Sequence, residues 1–168
     1  FDKNNAVNLT WSLSGIEFMA YNAKDIYLNV KTDTMFALSI DDKPAEHIRL
    51  DGFKDGGYAK IAEFTSASNH KIRIIKEFAQ DSNIVLTDIK VTGNAPSLKA
   101  TRERQRKIEF VGDSITVGSC MFNDYSVNKH MGTNAMINYA GQTATYFGAD
   151  VSMTAVGGSG FVTDDMDS

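Results

Sequence analysis

A serine does nucleophilic chemistry when it stands on an accessible turn beside backbone N–H groups and within reach of a base. Ser114 has the setting for the first two. It lies in Lys107-Ile108-Glu109-Phe110-Val111-Gly112-Asp113-Ser114-Ile115-Thr116, where an apolar run breaks at a glycine and turn-favouring residues follow. Ile108, Phe110 and Val111 read as a short buried strand that Gly112 ends. A residue just past such a strand sits at the carboxyl edge of a sheet, where open α/β folds place their ligands. Two readings are open. Ser114 caps a helix, or it is a nucleophile in acyl transfer with nearby N–H groups holding the oxyanion. The nucleophile elbow of α/β-hydrolases is excluded, because Gly112-Asp113-Ser114-Ile115-Thr116 lacks the second glycine of G-x-S-x-G.

A nucleophilic serine needs a base. The chain has 3 histidines, His47, His70 and His130. His47 and His70 fall at strand or turn positions and read as surface residues. His130 follows Ser114 in a polar loop, as a candidate base or a bystander. Gly157-Gly158-Ser159-Gly160 ends a second apolar run and reads as a strand-end loop. Asp41, Asp42, Asp164, Asp165 and Asp167 do not have the spacing of a calcium loop, and the single cysteine, Cys120, excludes an internal disulfide and a cysteine-based zinc site. Trp11 reads as a core residue or a sugar-stacking one. Asn8-Leu9-Thr10 is a glycosylation sequon.

The elements that must carry these residues fall into two blocks. From Ala6 to Val91 apolar residues alternate with polar ones, as in Ile16, Phe18, Ala20 and in Ile26, Leu28, Val30. Breaks are expected at Ser14-Gly15, Asp41-Asp42, Gly52, Gly56-Gly57, Ser66 to Asn69 and Gln80 to Asn83. About eight short strands with no helix between them predict an antiparallel sandwich or jelly roll over residues 1–95. Residues 96–106, rich in Arg, Lys, Ser and Thr, read as a solvated linker. From 107 onward the rhythm is strand, polar loop, helix and strand. Ile137, Ala140, Gly141, Ala144 and Phe147 share one face of a helix predicted over 135–147, and Gly148 stops it. A strand follows over 150–156. This βαβ unit predicts a parallel, right-handed sheet.

The net charge of −4 and pI near 5.3 argue against a nucleic-acid or anionic-membrane partner, and no apolar run is long enough to span a membrane. Starting at Phe1 among polar residues and stopping soon after one βαβ unit, the chain is expected to be a processed or excised segment whose last domain is truncated or completed by another chain.

The order of parts is similar to a known family. A β-sandwich opening Asn8-Leu9-Thr10-Trp11-Ser12 and Ser14-Gly15-Ile16-Glu17-Phe18 precedes a linker. Then come Arg106 to Thr116 with the block Gly112-Asp113-Ser114 and the helix Tyr139-Ala140 to Phe147. This resembles the second family of carbohydrate esterases, in which a jelly-roll domain is fused to an SGNH (GDSL-type) hydrolase domain of flavodoxin-like parallel-sheet architecture. Isoleucine replaces the usual leucine of the block, and Gly118-Ser119-Cys120 departs from the family's glycine-aromatic-glycine run. The resemblance implies residues 107–168 as the beginning of the hydrolase domain. It implies Ser114 as nucleophile, and the N–H groups of Ser114 and Gly160, with Gly158 as a rival, as the oxyanion hole. Neither Gly-x-Asn-Asp nor the base-supplying Asp-x-x-His occurs after Ser114, so the catalytic histidine is expected outside this segment.

The implied activity is removal of acetyl groups from plant cell-wall polysaccharides such as xylan, mannan or glucomannan, by a secreted or extracellular protein without metal or organic cofactor. The expected partners are an acetylated polysaccharide or oligosaccharide and a complementary C-terminal fragment. The segment by itself is expected to be weak or inactive. The alternative is a non-catalytic carbohydrate-binding sandwich joined to a partial hydrolase domain.

Overall fold

The computed structural model of the chain describes residues 6–32, 34–77, 83–119, 121 and 133–159. They fall into two units, one comprising 1–10, 15–75 and 82–102, the other 11–14, 76–81 and 103–168. In the first unit, six strands form one antiparallel sheet: β1 (Val7–Leu9), β2 (Gly15–Lys31), β3 (Met35–Ile40), β4 (Glu46–Arg49), β5 (Tyr58–Lys76) and β6 (Ile84–Ala100), in the order β1-β6-β2-β5-β3-β4.

The alternation read from the sequence is present, but the strands are fewer and longer than the eight expected. β2 and β6 run for 17 residues each and β5 for 19. Several residues read as breaks lie inside strands as bulges, which bend a strand and add twist without ending it. Ser66 to Asn69 belong to β5. At Asn22 and Ala23 the pairing of β2 shifts register against both β5 and β6. Gly93 sits opposite that shift with φ +151, and a Cβ there would lie 1.9 Å from the Asn22 carbonyl oxygen. Only glycine fits so close a backbone approach. Residues 96–100, expected in the linker, are the end of β6 and pair with β2, Phe18 opposite Ala100 and Tyr21 opposite Ser97. Pro96, Ser97 and Lys99 gave no sign of this because they lie on an exposed stretch of strand, where no buried face imposes an apolar alternation.

The bends let residues from both arms of these strands meet. Phe18 and Ala20 join Ile26, Leu28 and Val30 of the same strand in one core with Phe36, Ile72, Ile74 and Ile84. One sheet encloses a single core in this way by curling, and the antiparallel β-structure expected from the sequence is present as this curled sheet.

The second unit holds β7 (Lys107–Gly112), α1 (Ser114–Val117), α2 (Tyr139–Phe147) and β8 (Asp150–Ala155). β7 and β8 pair in parallel, Lys107 opposite Asp150 through Gly112 opposite Ala155. The predicted parallel pairing is present as this two-stranded sheet. The helix starts at Tyr139, four residues later than expected, because Asn138 takes extended backbone and caps it. The basic segment before β7 is anchored: Arg104 pairs with Asp150 at 3.6 Å, and Arg106 donates to the Phe147 carbonyl at 3.1 Å.

Candidate active site

Ser114 opens a helix of 4 residues that could not persist as an isolated turn. Its neighbours hold it. Gly112 ends β7, and a Cβ there would fall 2.1 Å from Thr116 Oγ1, so the turn closes this tightly only over a glycine. Asp113 is the N-cap, in extended conformation, and its carboxylate accepts from the Ile115 N–H at 2.9 Å. At the other end Gly118 takes the left-handed conformation (φ 78°, ψ 37°), donating to the Ile115 carbonyl at 3.1 Å, while the Ser119 N–H reaches the Ser114 carbonyl at 2.9 Å.

Two buried asparagines bind this turn to the segment before α2. Asn138 Nδ2 donates to the carbonyls of Thr116 (2.6 Å) and Ile115 (3.3 Å), while its Oδ1 accepts from Ala140 and Gly141 at the start of α2. One side chain thus caps one helix and grips the other. Thr116 Oγ1 adds a hydrogen bond with the Tyr139 hydroxyl at 2.8 Å. The Asn134 N–H donates to the Gly118 carbonyl at 3.0 Å, and its Nδ2 donates to Glu77 Oε1 at 2.9 Å. Glu77 also accepts from the Ala135 N–H through its own carbonyl at 3.1 Å. Glu77, Asn134 and the adjoining Lys76 are all buried, and burial pushes the Lys76 ammonium down to about 8.

Beside the serine lies a cleft of about 520 Å³ at the carboxyl ends of β7 and β8. Gly112, Asp113 and Thr116 line one side, and Thr154, Ala155, Val156 and Ser159 the other. The Val156 N–H donates to the Gly112 carbonyl at 3.2 Å, which ties the two rims together. Ser114 is half-buried, and its sequence neighbours Asp113 and Thr116 face the cleft. Its own N–H is in the first turn, where a helix offers no internal acceptor. Ser114 does not itself line the cleft, but it stands between two residues that do, an arrangement that suits acyl transfer once its hydroxyl turns toward that space.

Of the other residues singled out in the sequence, Gly158 lies in a turn after β8 with φ +84. Gly160, Cys120, His130, Asp164, Asp165 and Asp167 lie outside the described residues. Trp11 is 43% exposed, not a core residue. His47 is on β4 and His70 on β5, in the first unit, while Ser114 belongs to the second. Reading by local pattern missed Glu77, Asn134 and Asn138; of these only Asn138, an asparagine ahead of a helical run, carried a signal.

No family model matches the chain. It is 30% identical to an acetylxylan esterase / glucomannan deacetylase from Cellvibrio japonicus, over 95% of this chain and 45% of that protein. The chain therefore spans about half the length of the curated relative it matches. Its fold is similar to a family two carbohydrate esterase structure from Cellvibrio japonicus, at TM-score 0.84 and 20% identity, covering 97% of this chain and 49% of the other. A second, from Clostridium thermocellum and in complex with cellohexaose, gives TM-score 0.80 at 22% identity over 98% of this chain and 51% of the other. Sequence and fold together place the resemblance of this chain with the family two carbohydrate esterases, about half of whose length it matches.

Proposed function

We propose that the full-length protein carrying this chain is a serine esterase that removes acetyl groups from plant cell-wall polysaccharides such as xylan or glucomannan. Ser114 attacks the acetyl carbonyl, and the N–H groups of Ser114 and Gly160 hold the oxyanion. A histidine in the part of the relatives' length that this chain does not span takes the serine proton and returns it to the leaving sugar hydroxyl. We read the curled sheet as a jelly roll joined, across residues 101–106, to an SGNH-type hydrolase domain that begins at 107. The acetylated polysaccharide is met outside the cell. Among the described residues no helix is long and apolar enough to cross a membrane.

One observation carries this reading. Ser114 stands immediately past the carboxyl end of a parallel strand, between Asp113 and Thr116, which line a cleft, in a chain 30% identical to an acetylxylan esterase / glucomannan deacetylase. Without the missing base, the 168 residues alone are expected to turn over acetyl esters weakly. In the full-length protein, Ser114→Ala should lower acetate release from acetylated glucomannan by roughly 10³-fold or more. Release at the parental rate would refute the assignment.

A second reading rests on the exposed face of β2, β5 and β6. Tyr27 pairs with Lys60 and Lys90, and Asn29 with Tyr58 and Asp88, which sets two tyrosines among charged residues. Tyr58 is 49% exposed and its hydroxyl donates to Asp88. Saturable binding of xylan or glucomannan oligosaccharides that is lost in Tyr27→Ala would favour a carbohydrate-binding sheet.

A further inference from the structure

A second serine of this chain stands against a histidine and a carboxylate. Ser68 and His70 are two residues apart on β5. Ser68 Oγ lies 2.7 Å from His70 Nε2, and His70 Nδ1 lies 2.8 Å from Asp41 Oδ2. Asp41 is fixed in the turn after β3, where it and Asp42 take φ of 56° and 58°. Its N–H donates to the Lys71 carbonyl and its Oδ1 accepts from the Lys71 N–H, both at 2.9 Å. The imidazole stacks flat on Phe64, ring centres 3.6 Å apart and 9° from parallel. The histidine ring is thus held at both nitrogens and on one face.

The proton positions follow from the partners. An ionised carboxylate only accepts, so Nδ1 carries the hydrogen. In the neutral ring Nε2 then has the lone pair, and the Ser68 hydroxyl donates to it. The other acceptor near that hydroxyl, the Ser66 carbonyl, is distant at 3.4 Å. Burial would raise the Asp41 pKa, but the hydrogen bonds from His70 and the Lys71 N–H outweigh it and hold the carboxyl below its usual value. Ser68 itself is exposed, so an acyl donor can reach it.

We propose that Ser68 is a second acylatable serine, with His70 as its base and Asp41 orienting the ring, and that it accepts acyl groups from esters with good leaving groups. Ser68 Oγ bonds to the acyl carbon as its proton passes to His70 Nε2. The ester C–O bond breaks, and the leaving alcohol takes that proton from His70. The site is open, without walls to exclude water, so it lacks much of what gives hydrolases their turnover. The product is acyl-Ser68 formed once per chain.

The test uses the chain with Ser114→Ala, which removes the other candidate nucleophile, treated with p-nitrophenyl acetate and followed by site-resolved mass spectrometry. A positioned base contributes roughly 10²–10⁴-fold. Ser68 should therefore acetylate about 10²-fold faster than Ser66 and Ser97, exposed serines on the same sheet. His70→Gln should bring it down to their rate, and Asp41→Asn should leave it between the two. Equal rates for Ser68 and Ser66, no effect of His70→Gln in a variant with parental circular dichroism, or acetyl found on His70 but not on Ser68, would each overturn the proposal. The comparison between serines is made within one folded molecule, so it stands even if a variant fails to fold.

Discussion

An unassisted serine hydroxyl is a weak nucleophile near neutral pH, so what distinguishes one serine from another is its surroundings. Ser114 draws its setting from local sequence: a glycine that a Cβ would clash with, a capping aspartate and a left-handed glycine, all within five residues of it. That setting was legible in the chain, because each part is a residue type tied to a backbone requirement. The Ser68–His70–Asp41 arrangement was not, since Asp41 is 29 positions from His70 and only strand pairing joins them. His70, read as a surface residue, has a side chain only 13% exposed. Lys76 was likewise hidden, as an apparently ordinary strand-end lysine that turns out to be fully buried. Its pH behaviour is testable. The unfolded chain keeps that proton up to about 10.5, whereas the folded protein releases it near 8. Between those values the unfolded state binds more protons, so stability rises with pH, by up to about 3 kcal/mol from this group; below 8 the penalty is felt in full. Urea unfolding of the chain and of Lys76→Met across pH 7.5 to 10.5 should show a rising difference in the parental chain that the variant lacks.

At the scale of elements, the short helix behind Ser114 depends on α2 more than on itself. Asn138 caps α2 through Oδ1 and holds two carbonyls of α1 through Nδ2. Removing a cap costs about 1 kcal/mol, and leaving a buried acceptor unsatisfied costs about 1–3 kcal/mol more. Asn138→Ala should therefore destabilise the chain by roughly 2–4 kcal/mol in urea titration; a change below about 0.5 kcal/mol would show that Asn138 does not join the two helices. The bulge in β6 gives a parallel prediction. Gly93 has φ +151 against the Asn22 carbonyl, so Gly93→Ala should cost more than the about 1–3 kcal/mol of backbone strain alone, measured the same way, while Gly52→Ala, with φ +87 but nothing near its Cβ position, should cost the strain without the clash. Sequence reading placed β7, β8 and the antiparallel block because alternation and apolar runs are local. It divided the long strands at Ser66 to Asn69 because those residue types favour turns. Pairing of β5 with β2, Ser68 opposite Ala23 and His70 opposite Ala20, overrides that preference.

At the scale of the molecule, the second unit carries a parallel sheet of two strands. Val111 is 72% exposed, Ile115 71% and Tyr146 85%, whereas parallel sheets are covered on both faces. In the proposed full-length esterase, further strands and helices cover these residues and bring the histidine that Ser114 requires. The spacing of motifs made the family resemblance legible, but local pattern gives no geometry for the proposed oxyanion donor, Gly160, or for the proposed base. The most direct measurement is to treat the full-length protein with a fluorophosphonate, which traps an activated serine, and to locate the adduct by peptide mass spectrometry alongside acetate release. A single adduct on Ser114, forming at the rate at which deacetylation is lost, is the expected result. Loss of deacetylation with the adduct on another residue, or full deacetylation with Ser114 modified, would contradict Ser114 as the nucleophile.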